Sequence, residues 1–285
     1  MRHLYHVDAF TTTLFTGNPA GVVYPADGLS EQMMQQIANE LRVSETAFIF
    51  TMPEERVVPI RFFTPNQEVP LCSHATIASF FVLCTQHHVP WGWYTLDCKA
   101  GRLAIVCDPK GIALTQAAVE WKSVLKGEQL LLLRQALQYA GAFKETEFPV
   151  QVVSTGNPKV LVQIETKKAL DSLAPDRQKL IALGNLIGTP GFYCYTLEGT
   201  EDGVTANARM FSPGSGVDED PVTGNAAGAL ALYLKRHTSL LQENRMRICQ
   251  GEAIGRKGYV DVQVDGMYAT IHGNACTLFS TTLPV

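Results

Sequence analysis

The chain has 285 residues, of which 46% are hydrophobic and 18% are charged, and its formal net charge is −4 at pH 7. This length fits two domains of ordinary size, each able to bury its own core. The negative charge and the lack of any basic run argue against a nucleic-acid partner, and no stretch approaches the roughly 20 apolar residues of a membrane span.

The seven cysteines are odd in number and show no framework spacing. Such usage is typical of free thiols in a reducing compartment, so we expect a cytoplasmic protein. The first eight residues contain histidine and an acid, which does not fit a signal peptide. The sequence has no CxxC pair, no HExxH motif and no GxGxxG after a strand, so we expect neither a metal nor a cofactor.

The first part of the chain predicts strands, one amphipathic helix and one buried helix. A strand is expected over residues 3–10, followed by a turn at Gly17-Asn18-Pro19 and a helix over residues 30–42 capped by Ser30. Glu45 then stands at the mouth of an apolar strand. A carboxylate there is either a structural acid or a base in apolar surroundings, and the local sequence favours neither. A further strand and turn lead to a buried helix over residues 71–83.

The second part predicts more strands than helices. We expect a helix around residues 127–141, a solvated charged connector over residues 167–177 and a short apolar helix ending at residue 186. Strands are expected over residues 149–153, 192–197 and 205–211, and residues 246–279 alternate like an antiparallel sheet with glycine turns. Because strands are many and helices few, we predict the α+β class, with each sheet wrapped around a central buried helix.

The stretch from Gly216 to Leu234 opens with acidic residues and a proline, then becomes an apolar run of small residues. That order predicts a loop that enters a helix buried all round. Asn225 would lie where a helix cap or an anion-facing N–H group is found, with Asp220 just upstream. The alternative, in which Asp220 and Asn225 are only helix caps, stays open from this stretch alone.

The same passage occurs earlier in the chain. Residues 68–83 align without gaps on residues 219–234, which places Ser73-His74 on Gly224-Asn225. Three more blocks recur in the same order and indicate a duplication of about half the chain. Two such helices could direct their N-termini at one carboxylate or developing oxyanion. The three blocks are Gly17-Asn18-Pro19 with Gly156-Asn157-Pro158, Arg61 to Pro65 with Arg209 to Pro213, and Gly101-Arg102 with Gly255-Arg256.

Four motifs carry a resemblance to a known family: Gly17-Asn-Pro-Ala-Gly21, Ser44-Glu-Thr-Ala-Phe48, Arg61 to Thr76, and Asp218 to Asn225. They resemble the PhzF family, the phenazine-biosynthesis-like isomerases of the diaminopimelate epimerase fold, over residues 3 to about 280. The resemblance implies two pseudo-symmetric α+β halves with the active site between them. It assigns residues 1–115 plus 275–285 to the N-terminal half and residues 116–274 to the C-terminal half. It also implies a homodimer.

The resemblance also implies roles for individual residues. Glu45 matches the family's acid/base glutamate, His74 its histidine at the start of the helix, and Asp220 its second catalytic acid. Two positions depart from the family's pattern, because Ser73 replaces a usual glycine and Asn225 a usual serine. Both changes alter hydrogen bonding, so the substrate of the best-known member is not carried over. The residues expected to bind a small carboxylate-bearing substrate are Cys72, Ser73, Ala75, Thr223, Gly224 and Asn225, with the carboxylate received by N–H groups near Ser73, His74, Gly224 and Asn225.

The implied reaction is the movement of a proton between carbons of a small amino or hydroxy carboxylic acid, cyclic or not, by glutamate acid/base chemistry without a cofactor. An amino-acid racemase or epimerase on the same fold is the first alternative. It would need two thiols, and the residue that aligns with Cys72 is Thr223, so Cys72 is better explained as a small buried residue. A non-catalytic metabolite-binding protein is the second alternative, and the presence of Glu45 and Asp220 argues against it.

Overall fold

The computed structural model describes residues 1–199 and 201–285. The chain divides into two compact units, one formed by residues 1–115 with 272–285 and the other by residues 116–271. Among the described helices, none is long and apolar enough to cross a membrane.

The helices are α1 (Glu31–Leu41), α2 (Ser73–Gln86), α3 (Glu128–Leu137), α4 (Lys167–Asp171), α5 (Arg177–Ile187) and α6 (Gly224–His237). The strands up to residue 115 are β1 (Arg2–Ala9), β2 (Asn18–Tyr24), β3 (Glu45–Ile49), β4 (Val57–Phe63), β5 (Glu68–Val69), β6 (Gly92–Cys98), β7 (Gly101–Asp108) and β8 (Gly111–Thr115). The strands between residues 116 and 273 are β9 (Glu120–Val124), β10 (Gln151–Ser154), β11 (Lys159–Gln163), β12 (Phe192–Thr196), β13 (Ala206–Ser212), β14 (Val217–Asp220), β15 (Arg245–Gln250), β16 (Gly258–Asp265) and β17 (Tyr268–Gly273). The last strand is β18 (Ala275–Leu283).

In the first unit a mostly antiparallel sheet surrounds α2. Strand β1 pairs antiparallel with β18 and β2, β2 pairs parallel with β3, and β3 pairs antiparallel with β4. Strand β4 pairs antiparallel with β5 and parallel with β6, and β7 pairs antiparallel with β6 and β8. Ten of the fourteen residues of α2 are buried, and the helix contacts β1, β2, β3, β7, β8 and β18. A helix that is apolar all round requires such enclosure.

The second unit repeats this pairing scheme around α6. Strand β10 pairs antiparallel with β9 and β11, β11 pairs parallel with β12, and β12 pairs antiparallel with β13. Strand β13 pairs antiparallel with β14 and parallel with β15, and β15 pairs antiparallel with β16. Ten of the fourteen residues of α6 are buried, and the helix contacts β10, β11, β15 and β16. The prediction of the α+β class, with a central buried helix in each sheet, is confirmed.

Local sequence signals account for some element boundaries and miss others. The predicted cap of α1 is present, since the Ser30 hydroxyl accepts a hydrogen bond from the Met33 N–H at 3.2 Å. The connector predicted over residues 167–177 is wrong in part, because it contains α4. Thr166 caps that helix through the Ala169 N–H at 3.1 Å, and Leu170 anchors it in the core. Strands β8 and β9 were not predicted.

Candidate functional site

Three reactive side chains cluster where α2 begins. Glu45 is the first residue of β3 and lies beside Ala20 of β2. Cys72 is the N-cap residue of α2, and His74 is the second residue of the helix. One carboxylate, thiol or imidazole atom from each of the three lies within 4.8 Å of the others. The residues that the sequence assigned to the first half's site are therefore brought together around the start of α2.

The distances in this cluster allow hydrogen bonding throughout. His74 Nε2 lies 3.2 Å from Glu45 Oε2, and Cys72 Sγ lies 3.4 Å from His74 Nδ1 and 3.7 Å from His74 Nε2. Cys72 and His74 are each 7% exposed, whereas the Glu45 side chain is 21% exposed. Glu45 is therefore the member of the cluster that a small molecule reaches most easily.

Burial sets the charge state of the histidine. Because His74 is removed from water, its pKa is lowered from 6.5 to about 3, so the imidazole is neutral at pH 7. A neutral ring can accept from the Cys72 thiol at Nδ1 and donate from Nε2 to the Glu45 carboxylate. We assign this tautomer because it gives each of the three groups a partner. The result is a half-buried carboxylate oriented by an N–H donor, which is suited to general-base chemistry.

Both buried helices begin without a side-chain cap from the N-cap residue. Cys72 and Thr223 have extended backbones, and neither side chain makes a capping hydrogen bond to another described residue. The first-turn N–H groups have no carbonyl partner within their own helix. They belong to residues 73–75 in α2 and residues 224–226 in α6. Neither first turn contains an acidic residue. Each helix start therefore offers N–H donors and a positive dipole end to an anion.

In the second unit Asp220 belongs to a network at the turn between β14 and α6. The Thr223 hydroxyl donates to Asp220 Oδ2. Buried Gln250 donates to the Asp220 carbonyl at 2.8 Å and to the Thr223 hydroxyl at 3.1 Å, and it accepts from the Thr223 N–H at 3.1 Å. Sequence reasoning missed Gln250, because it lies on β15 outside any recurring motif.

Asn225 is not the cap of α6, so that alternative is wrong for this residue. It is the second residue of the helix, and its amide nitrogen donates to the Thr155 carbonyl and hydroxyl, both at 3.3 Å. Its amide oxygen is buried and has no hydrogen-bond partner among the described residues. The amide is thus held against Thr155, the residue that follows β10, and the first-turn N–H groups of α6 are not covered by this side chain.

Lys159 is a second residue that sequence reasoning missed. Its side chain is almost fully buried, and its ammonium group donates to the Pro158 carbonyl at 3.2 Å and to the Asn157 carbonyl at 3.4 Å. Burial lowers the Lys159 pKa from 10.5 to about 8, and the negative charge of Asp220 opposes that shift. The available signal was the second Gly-Asn-Pro block, where lysine follows instead of alanine.

The sheet registers show which residues of the first unit correspond to Lys159 and its neighbour. In the first unit, Ala20 of β2 lies beside Glu45. In the second unit, Lys159 of β11 corresponds to Ala20 and lies beside Gly191. A Cβ on Gly191 would lie 2.5 Å from the Lys159 Cδ atom, so the lysine stem fills the space above this glycine. At the position that Glu45 occupies in the first unit, the second unit has Gly191, and the Lys159 side chain lies over this glycine.

Comparison with known proteins places the whole chain in one family. The family model for phenazine biosynthesis-like protein, PhzC-PhzF, matches residues 7–281. An uncharacterised isomerase of Clostridium acetobutylicum is 38% identical over 294 residues, which cover 99% of this chain and 97% of the relative. The trans-2,3-dihydro-3-hydroxyanthranilate isomerase of Pseudomonas chlororaphis is 30% identical over 271 residues, covering 93% of this chain and 91% of the relative. The crystal structure of a PhzF-family phenazine biosynthesis protein from Bacillus anthracis shares 26% identity, covers both chains completely and has a TM-score of 0.89.

The fold, the oriented carboxylate and these relatives define an α+β enzyme of the isomerase class. The chain belongs to the phenazine biosynthesis-like PhzC-PhzF family.

Proposed function

We propose that this isomerase moves a proton between two carbons of a small amino or hydroxy carboxylic acid, with Glu45 as the base and then as the acid. The observation that carries the proposal is the half-buried Glu45 carboxylate, held 3.2 Å from the Nε2 atom of a neutral histidine. A positioned acid/base group of this kind contributes about 10²–10⁴-fold in rate.

The proton balance of the step needs no co-reactant. The Glu45 carboxylate takes a proton from one carbon, and the electron pair of that C–H bond moves into the adjacent unsaturated system. The resulting carboxylic acid exchanges its proton with solvent, because the Glu45 side chain is 21% exposed, and it then gives a proton to a second carbon, so substrate and product have the same composition. His74 keeps the carboxylate oriented through both transfers, because its neutral ring can donate to either charge state of Glu45.

The helix starts are proposed to receive the substrate's charged and polar groups. The N–H groups of Ser73, His74 and Ala75 provide an anion site beside Glu45, with Cys72 against the imidazole. In the second unit we propose that Asp220 binds an amine or hydroxyl, with Lys159 as its cationic neighbour. Thr223, Gly224 and Asn225 contribute the corresponding helix start.

The name of one relative supplies a first candidate substrate, trans-2,3-dihydro-3-hydroxyanthranilate. That compound is cyclic and carries the carboxylate, amine and hydroxyl groups that the proposed site would bind. Ser73 and Asn225 change the polar side chains present at the two helix starts, so related cyclic amino and hydroxy acids are equally worth testing.

A racemase with two thiols has less support in this chain. Cys72 is the thiol of the first unit, and the residue at the corresponding helix start of the second unit is Thr223. A single thiol does not supply the two opposed bases of that mechanism, whereas Glu45 can both accept and return a proton.

Solvent-hydrogen incorporation tests the proposal. The enzyme is incubated in heavy water with the dihydrohydroxyanthranilate and with a panel of cyclic and open amino and hydroxy acids, and proton NMR follows loss of carbon-bound hydrogen. Deuterium at a product carbon different from the one that lost hydrogen supports a proton-shifting isomerase. Exchange at a single α-carbon with inversion would instead indicate an epimerase, and tight binding with neither product formation nor exchange would indicate a binding protein.

A further inference from the structure

The cluster of Glu45, Cys72 and His74 has a property that proton transfer does not use. It combines one carboxylate oxygen, one sulfur and one imidazole nitrogen, all within 4.8 Å of one another. Zinc binds these donor types, and sites with three protein ligands leave one position open for water or substrate. The donor set is therefore that of an open zinc site.

The distances fit tetrahedral coordination. Zn–N and Zn–O bonds of about 2.0–2.2 Å and Zn–S bonds of about 2.3 Å place neighbouring ligand atoms about 3.3–3.6 Å apart in a tetrahedron. His74 Nε2 lies 3.2 Å from Glu45 Oε2 and 3.7 Å from Cys72 Sγ. The His74 nitrogen thus lies within a few tenths of an ångström of the required separation from each of the other two ligand atoms, and the Glu45 oxygen and the Cys72 sulfur lie within 4.8 Å of each other.

Burial and charge also favour a metal at this position. His74 is 7% exposed, and a neutral imidazole offers one nitrogen lone pair to a metal without loss of a proton to solvent. Its ring proton moves to Nδ1 when Nε2 binds the metal. The Cys72 thiol loses its proton to solvent and becomes a thiolate, as zinc-bound thiols do. With the Glu45 carboxylate, the two negative ligands balance the charge of one Zn²⁺ ion.

We propose that Glu45, Cys72 and His74 form an inhibitory Zn²⁺ site, in which the metal occupies the carboxylate that would otherwise accept the substrate's proton. The ion is an inhibitor and not a cofactor. Zinc binding does not depend on the proposed function, whereas inhibition by zinc does. A failure of one is therefore distinguishable from a failure of the other.

The test uses tag-free, chelator-treated protein titrated with zinc chloride in a calorimeter. We expect one strong site per chain, with about one proton released, and a Zn–S scattering distance of about 2.3 Å in X-ray absorption. Cys72→Ser and His74→Gln should each weaken binding more than 100-fold, because loss of a direct ligand exceeds the 10–100-fold effect of an outer-sphere change. Cys98→Ser, at a half-buried thiol outside the cluster, should bind zinc like the wild type.

Circular dichroism and thermal unfolding establish that each variant is folded before its affinity is compared. The metal site is refuted if folded wild-type protein shows no strong binding, if Cys72→Ser binds equally well, or if the absorption spectrum contains only oxygen and nitrogen ligands. Where the site is present, zinc should abolish solvent-hydrogen incorporation and a chelator should restore it. Full activity of the zinc-loaded enzyme would contradict the inhibitory role and leave the site itself intact.

Discussion

At the scale of single residues, the chemistry depends on how little water reaches His74. An imidazole with a pKa of about 3 stays neutral through the physiological range, so it orients Glu45 without competing with it for a proton. In the proposed reaction, the charge that moves is then carried by the carboxylate. Cys72, packed against the same ring at 3.4 Å, completes a small hydrogen-bonded unit.

The buried histidine should leave a signature in the pH dependence of stability. Between pH 6.5 and about 3 the unfolded chain binds a proton at His74 that the folded chain does not, so the free energy of unfolding falls as pH is lowered through this window. One proton corresponds to a slope of about 1.4 kcal/mol per pH unit. In urea unfolding between pH 4 and 7, His74→Gln should lose about that much slope, whereas His88→Asn on an exposed turn should keep it. Equal slopes in wild type and His74→Gln would contradict the assignment.

Lys159 should affect activity through its charge. Its pKa of about 8 means that the ammonium is charged at pH 7 and becomes neutral at higher pH, which removes the cation beside Asp220. We expect wild-type kcat/KM to fall above about pH 8. Lys159→Met should be about 10–100-fold less active at pH 7, since a charge-assisted contact is worth about 1.5–3 kcal/mol. The kcat/KM of this variant should not fall further above pH 8. The exposed control Lys110→Met should reproduce the wild-type profile. An unchanged profile in Lys159→Met would exclude this role.

At the scale of elements, each buried helix is preceded by a short hairpin held by an arginine and a glutamate. In the second unit Arg209 donates to both oxygens of Glu219 at 2.9 and 2.8 Å, and its third nitrogen donates to the Leu173 carbonyl at 2.8 Å. In the first unit Arg61 donates to Glu68 at 2.8 Å, and this interaction lowers the Glu68 pKa. The hairpins fix where α2 and α6 begin.

The two arginines form a matched pair for measuring the effect of burial. Arg209 is 9% exposed and Arg61 is 31% exposed, whereas Glu219 and Glu68 are both 14% exposed. Glu68 also has Lys99 at 3.1 Å, which stays when Arg61 is replaced. Arg209→Met should therefore lower the free energy of unfolding by about 3–5 kcal/mol, because it leaves a buried carboxylate without its partner. Arg61→Met should cost about 1 kcal/mol, as for a partly solvated pair. Urea unfolding at pH 7 measures both, and equal losses would show that burial does not decide the difference.

At the scale of the whole molecule, sequence patterns predicted the features that depend on local composition and on the recurring blocks. α2 and α6 follow from apolar runs bounded by turn residues, and the helices begin at Ser73 and Gly224. The roles predicted for Glu45 and His74 came from the family resemblance, and the distance between them is a tertiary property. The strands around each helix were predicted from the alternation of apolar and polar residues and from glycine turns.

The remaining features depend on partners that are distant in sequence. Gln250 reaches the β14–α6 turn only because β15 pairs with β13, and Lys159 crosses Gly191 only because β11 pairs with β12. Asn225 was open to interpretation as a cap because its bond to Thr155, 70 residues away, has no local signal. Pairing between strands that are distant in sequence decides these contacts, and the local alternation of a strand does not identify its partner strand.

The account rests on Glu45 as the proton carrier, and comparison of Glu45→Gln with wild type tests it most directly. The amide keeps the size of the side chain and a hydrogen bond to His74 but does not accept a proton from carbon. Using the substrate identified by solvent-hydrogen incorporation, we predict a loss of kcat of at least about 10²–10⁴-fold, with ligand affinity and melting temperature close to wild type. A folded Glu45→Gln protein that transfers solvent hydrogen at the wild-type rate would contradict the mechanism.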